Sequence, residues 1–138
     1  FEKNKISKIR LKVEDILIKF SIIKKIPLLG VCRGMQHINH YFGGSISKIK
    51  NHMRKSHNIH LKDDLFHKDK MIVNSYHNYG IKNTNLAKKF KIQAVDSNNN
   101  IEMFQHIEKK IIGVMWHPER EKSHKKLELI IKKLVKKK

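Results

Sequence analysis

The sequence has a single cysteine, Cys32, among 138 residues. A lone thiol excludes an internal disulfide and fits a reducing, cytoplasmic compartment. Apolar runs are short, and none reaches the ~18 residues that a membrane-spanning helix needs. No signal-peptide pattern is present. The chain opens on Phe1 rather than Met, as a processed chain or a fragment does. Acidic residues are scarce: 12 Asp and Glu stand against 31 Lys and Arg, for a formal net charge of +19. Such a charge suggests a nucleic-acid or anionic-surface partner. Yet the lysines are scattered, and no basic repeat interleaved with aromatic residues is there to stack bases. Lysine far outnumbers arginine, and Ile and Asn are heavily used. This is the compositional habit of AT-rich coding, so neither a nucleic-acid nor a membrane partner is expected. Repeats and linkers are also lacking, which leaves one domain over 1–138, long enough for a real core.

What is there centres on Ile26-Pro-Leu-Leu-Gly-Val-Cys-Arg-Gly-Met-Gln36. Ile26 to Val31 is a brief apolar run, as in a strand covered on both faces. Met35, Ile38 and Phe42 then recur at helical spacing. Gly30 and Gly34 flank Cys32 two residues away on each side, where small residues let a strained turn pack tightly. The pattern is that of a nucleophile elbow with Cys in place of Ser. A thiol at a helix N-terminus meets unpaired N–H groups and the positive dipole end, which favour the thiolate.

Around this turn the chain reads as α/β. Phe1 to Lys25 predicts a helix with Ile6, Ile9, Val13, Ile16, Leu17, Phe20 and Ile23 on one stripe. Pro27 prevents its continuation. Helix, strand, turn and helix in this order imply a parallel sheet. Gly43-Gly44 ends the second helix, and Ser45 to Ile49 predicts a short strand. Lys50 to Lys70 carries His52, His57, His60 and His67. Their spacings match no standard zinc pattern and no cysteine joins them. The segment therefore reads as a loop and an edge strand, extended at His57 to Leu61, with no metal. Lys70 to Tyr76 predicts a β-branched strand, with a turn continuing through Asn78-Tyr79-Gly80. Asn83 to Lys89 predicts a short helix. Lys91 to Val95 and Ile101 to His106 predict a hairpin joined at Asp96 to Asn100. Ile111 to Trp116 is a further buried-type strand, and Glu121 to Lys138 a final helix.

Cys32 needs a base, and His117 is the best of the ten histidines because it too ends a buried strand. Reactive side chains in α/β sheets gather at the carboxyl edge. Pro118 stiffens the turn, and Glu119 lies where a carboxylate can hold one imidazole nitrogen and leave the other for the thiol. Nucleophile, base and orienter is the logic of a triad.

Three segments, Pro27-Leu-Leu-Gly-Val-Cys-Arg-Gly-Met-Gln36, Val73-Asn-Ser-Tyr-His77 and Gly113-Val-Met-Trp-His-Pro-Glu119, together make the chain resemble a class I, triad-type glutamine amidotransferase domain. The wording is most similar to the branch of the γ-glutamyl hydrolases and γ-glutamyl-γ-aminobutyrate hydrolases. The resemblance implies a three-layer α/β/α, mostly parallel, flavodoxin-like fold. It implies Cys32 as nucleophile, His117 as general base and acid, and Glu119 as orienter. It also implies an oxyanion-hole N–H from the backbone of Arg33, and a substrate pocket built with Gln36, Ser75, Tyr76 and His77. The side chain of Arg33 either serves a substrate carboxylate or sits in solvent. No metal or organic cofactor is implied. The reaction is cleavage of a γ-glutamyl amide through a γ-glutamyl thioester, releasing glutamate and an amine or ammonia. A nucleotide-linked amidate is one such substrate, and the basic surface suits it.

The chain departs from this family at its front. The resemblance implies further strands before the first helix, about 60 residues for two βαβ units, including a Gly-rich loop with the second oxyanion donor. The sequence thus reads as the C-terminal part of the domain, and alone it is expected to be poorly stable and weakly active. Two alternatives accompany the hydrolase reading. One is a glutaminase subunit that delivers ammonia to a synthetase partner. The other is an inactive fragment or basic nucleic-acid-binding module.

Overall fold

The computed structural model describes residues 5–62 and 65–136. It begins with α1 (Lys5–Lys24), β1 (Leu28–Val31) and α2 (Arg33–Tyr41). Strands β2 (Ser47–Lys48), β3 (Met53–Leu61), β4 (Lys70–Tyr76) and β5 (Tyr79–Lys82) follow. The hairpin β6 (Phe90–Asp96) and β7 (Asn100–His106), then β8 (Ile111–Val114) and α3 (Lys125–Lys136), complete the order. The expected helix start at Phe1, the side chain of Ile6 and the end at Lys138 fall outside the described residues.

The architecture is α/β in three layers, as expected. The sheet path runs β1–β8–β7–β6–β3–β4, with β5 joined to β7 and β2. One hydrophobic cluster unites Ile18 of α1 and Met35 and Ile38 of α2 with Ile81, Phe90, Ile101, Phe104 and Ile111. A second puts Ile130 and Leu134 of α3 against Ile59, Val73, Ala94, Met103, Ile112, Val114 and Trp116. Neighbours Ile111 and Ile112 join opposite clusters, as the two-residue period of a strand requires. All of β8 is buried because β1 and β7 flank it and helices cover both faces.

The sheet is mixed rather than mostly parallel. Among the described residues, β1 and β8 form the one parallel pair, with Leu28 opposite Ile111 and Val31 opposite Val114. Every other pairing is antiparallel. The reason is connection length: short turns such as Asp96 to Asn100 can join only antiparallel neighbours, whereas the parallel pair needs a long crossover.

Two local expectations change as well. Asn83 to Asn85 forms a single 3-10 turn rather than a helix to Lys89, and Tyr79-Gly80 opens a strand instead of prolonging a turn. The larger surprise is α1. Ile9, Val13, Ile16, Leu17, Phe20 and Ile23 are exposed, while Ile18 and Ser21 are the buried positions. Polar contacts supplement this small apolar foot. Glu14 takes both Arg10, at 2.9 Å, and Arg33, at 2.6 Å, and Asp15 meets His37 at 2.9 Å. The helix therefore leans on α2 partly through charge and turns most of its apolar stripe outward. No described helix is long and apolar enough to cross a membrane.

Candidate functional site

Cys32 stands between β1 and α2 in a backbone conformation that L-residues rarely adopt, with φ 50° and ψ −108°. Its N–H donates to the carbonyl of Val114 at 2.8 Å, tying the turn to the end of β8. Gly30 is required there: a Cβ would come within 2.5 Å of Ile38 Cδ1 and 2.9 Å of the Gly34 carbonyl. Gly34 is not under the same constraint, since a Cβ on it meets nothing within 4 Å. Gly113, beside Gly30 on β8, lets α2 approach, because its Cβ would strike Met35 and Phe104 at 2.6 Å.

The thiol is shifted upward from its ordinary value, not downward as the helix terminus suggests. Burial is the largest cause; the Arg33 N–H and the Arg120 charge oppose it, while Glu102 and Glu119 add to it. Burial therefore outweighs the dipole.

His117 follows β8 at the same sheet edge. Its Nδ1 lies 2.6 Å from Glu119 Oε1. A carboxylate accepts only, so this nitrogen carries the proton and Nε2 keeps the lone pair. Glu119 is half exposed and is held by the 3-10 turn Pro118–Arg120. Asn74 of β4 fixes the main chain of His117: its amide donates to His117 O and its carbonyl accepts from His117 N–H, both at 2.8 Å. Sequence reasoning passed over Asn74, although it stands inside the Val73 to His77 segment. The ring of Tyr76 meets His117 edge-on at 5.6 Å, and Arg120 lies 4.5 Å above Tyr76.

An open cleft of about 600 Å³ is lined by Cys32, Arg33, Gln36, Tyr76, His77 and Tyr79, among others. That volume suits a small polar ligand with a few convergent groups. Gln36 is buried and donates from Nε2 to Tyr79 O at 2.9 Å. Ser75 is wholly buried with an unpartnered hydroxyl and does not line the cleft. The Arg33 side chain takes neither course expected of it, because Glu14 of α1 holds it, while its N–H faces the thiol.

Behind the cleft wall lies a cluster that no sequence spacing announces. His52, His57 and Glu102 each turn one ligating atom inward, all within 4.8 Å of one another. Burial raises the Glu102 carboxyl, against the pull of His57. Burial pushes His57 down, but Glu102 more than offsets this and its pKa is raised. His77 is lowered to about 4, chiefly by burial.

The class-I glutamine amidotransferase family model matches residues 10–137. The chain belongs to this family. The γ-glutamyl-CDP-amidate hydrolase of Campylobacter jejuni is 38% identical over 130 residues, covering 94% of this chain and 61% of that protein. A solved glutamine amidotransferase from Thermotoga maritima is 25% identical with a TM-score of 0.69, over 92% of this chain and 56% of the other. A solved protein from Thermoplasma acidophilum, described as part of a GMP synthase, gives a TM-score of 0.73 at 24% identity, over 91% of this chain and 63% of that chain, and shows the shared fold. The chain thus spans between about half and two thirds of the length of these proteins.

Proposed function

We propose that this chain carries the thiol centre of a γ-glutamyl amide hydrolase. What supports it most is that Cys32 and the His117–Glu119 pair follow the carboxyl ends of two adjacent parallel strands. Family membership and the hydrolase relative point the same way.

In this reading Cys32 attacks the γ-carbonyl carbon, and His117 Nε2 takes the thiol proton as the S–C bond forms. The raised thiol pKa makes that base necessary, because little thiolate exists beforehand at neutral pH. The Arg33 N–H donates to the oxyanion, a contribution of about 3–4 kcal/mol for such a donor. His117 then passes its proton to the leaving nitrogen as the C–N bond breaks. Water, deprotonated by the same ring, hydrolyses the γ-glutamyl thioester to glutamate and restores the thiol. Glu119 fixes the ring tautomer. Gln36, Tyr76 and His77 form the wall against the glutamyl group. No cofactor enters these steps. The substrate is a γ-glutamyl amide whose amine half is nucleotide-linked, by analogy with the Campylobacter relative.

Glutamate release from a panel of γ-glutamyl amides tests this, using the full-length gene product beside Cys32→Ala. Release that Cys32→Ala abolishes supports it. Release that Cys32→Ala leaves unchanged refutes the assigned nucleophile. Cleavage of glutamine only when a synthetase is added would identify an ammonia-delivering role instead.

A further inference from the structure

Glu102 is fully buried, and neither carboxylate oxygen has a hydrogen-bond partner. Two imidazoles face one of those oxygens: His57 Nε2 lies 3.4 Å from Oε1, and His77 Nε2 lies 3.7 Å away. Both ring nitrogens of His57 and the Nε2 of His77 are likewise buried and unpartnered. His77 Nδ1 donates to the Tyr79 carbonyl at 2.9 Å. In the neutral ring its Nε2 is therefore a bare lone pair aimed at a carboxylate oxygen. Acceptors converging on one point in a dry interior are costly unless something positive sits among them.

We propose that His57, Glu102 and His52 hold a divalent metal ion of the zinc type behind the cleft wall. Imidazole nitrogen and carboxylate oxygen are the donors such an ion takes. Tetrahedral bonds of about 2.0–2.1 Å place neighbouring ligand atoms about 3.4 Å apart. The His57–Glu102 separation, 3.4 Å, already has this value. His52 Nε2 now meets Asp96 at 2.7 Å and its Nδ1 meets the Lys50 carbonyl at 2.6 Å. On coordination Nδ1 loses its proton to solvent and releases the Lys50 carbonyl, while Nε2–H keeps Asp96, giving the carboxylate–histidine–metal arrangement common at such centres. Asp96 is well placed to orient it, being anchored by the backbone N–H groups of Asn98 and Asn100 at 2.8 Å. His77, facing the same oxygen from the cleft side, would couple the ion to the wall beside Cys32. The assignment is independent of the hydrolase reading.

The test uses the protein carrying Cys32→Ala, so that the thiol cannot compete for metal. After chelator treatment, zinc chloride is titrated calorimetrically. One ion per chain is expected, bound at least tenfold more weakly by Glu102→Gln and by His57→Ala. Histidine ring ¹⁵N resonances of the Cys32→Ala protein without further changes give a second readout, and those of His52 and His57 should move on zinc addition. Loss of affinity in the variants with displaced resonances supports the site. If a variant fails to fold, the resonances decide. No stoichiometric uptake, an affinity indifferent to both substitutions, or unmoved resonances would overturn it and leave a proton shared between His57 and Glu102.

Discussion

Asn74 grips the main chain of His117 from both sides, accepting its N–H and donating to its carbonyl, each at 2.8 Å. The strand-end histidine is thus fixed by a residue 43 positions earlier in the chain. Asn74→Ala should therefore let the His117 ring drift. A misplacement of about 1 Å is enough to cost roughly 100-fold in rate. We expect turnover on a γ-glutamyl amide to fall about 10- to 100-fold while KM moves little, because Gln36 and Tyr76 stay in place. Steady-state kinetics check this, and an unchanged kcat would contradict it.

The Cys32 thiol should titrate high. Burial raises it above its ordinary value of 9.0, and the native state thereby disfavours the thiolate. Alkylation by iodoacetamide should accelerate as pH rises through and beyond 9.0, with no plateau near neutrality. A rate already maximal at pH 7 would mean a preformed thiolate–imidazolium pair instead.

The glycines around the turn should differ in their tolerance. Gly30→Ala and Gly113→Ala each force a side chain into space taken by α2 or Phe104, and overpacking of this kind costs about 1–3 kcal/mol. Gly34→Ala meets nothing and gains helix propensity of up to about 1 kcal/mol. Urea unfolding should place both clashing variants below the wild type and Gly34→Ala at or above it.

On α1, burial separates neighbours. Ile18→Ala should destabilise by about 2–4 kcal/mol, as for a buried aliphatic, since Ile18 is 2% exposed. Ile16→Gln and Phe20→Gln, at 64% and 52% exposure, should change stability by no more than about 0.5 kcal/mol. The same two changes should reduce concentration-dependent association in sedimentation, because they break up an exposed apolar stripe.

The candidate site was legible because each part sits in a short local pattern: Gly30 to Gly34 around Cys32, and His117 two residues from Glu119. The short strand near Ser45 to Ile49 and the hairpin were legible from alternation and from the Asp96 to Asn100 turn, whereas the strand at His57 to Leu61, read as an edge, lies between β4 and β6. What escaped depended on distant pairing. The mixed character of the sheet follows from how strands are joined and ordered, which composition does not encode. The His52, His57 and Glu102 cluster forms only when β3 and β7 are brought to either side of β6, and no spacing along the chain marks it. The stripe on α1 was visible, but periodicity reports that a face is apolar and not that something covers it. Arg33 was undecided because its partner, Glu14, lies on another helix.

The left-handed backbone of Cys32 has one more implication. At φ 50° every residue with a β-carbon is held in tension, and glycine alone would relax there. A glycine at this position should make the fold sturdier while removing its only sulfhydryl, so durability and reactivity are opposed at a single atom of the chain.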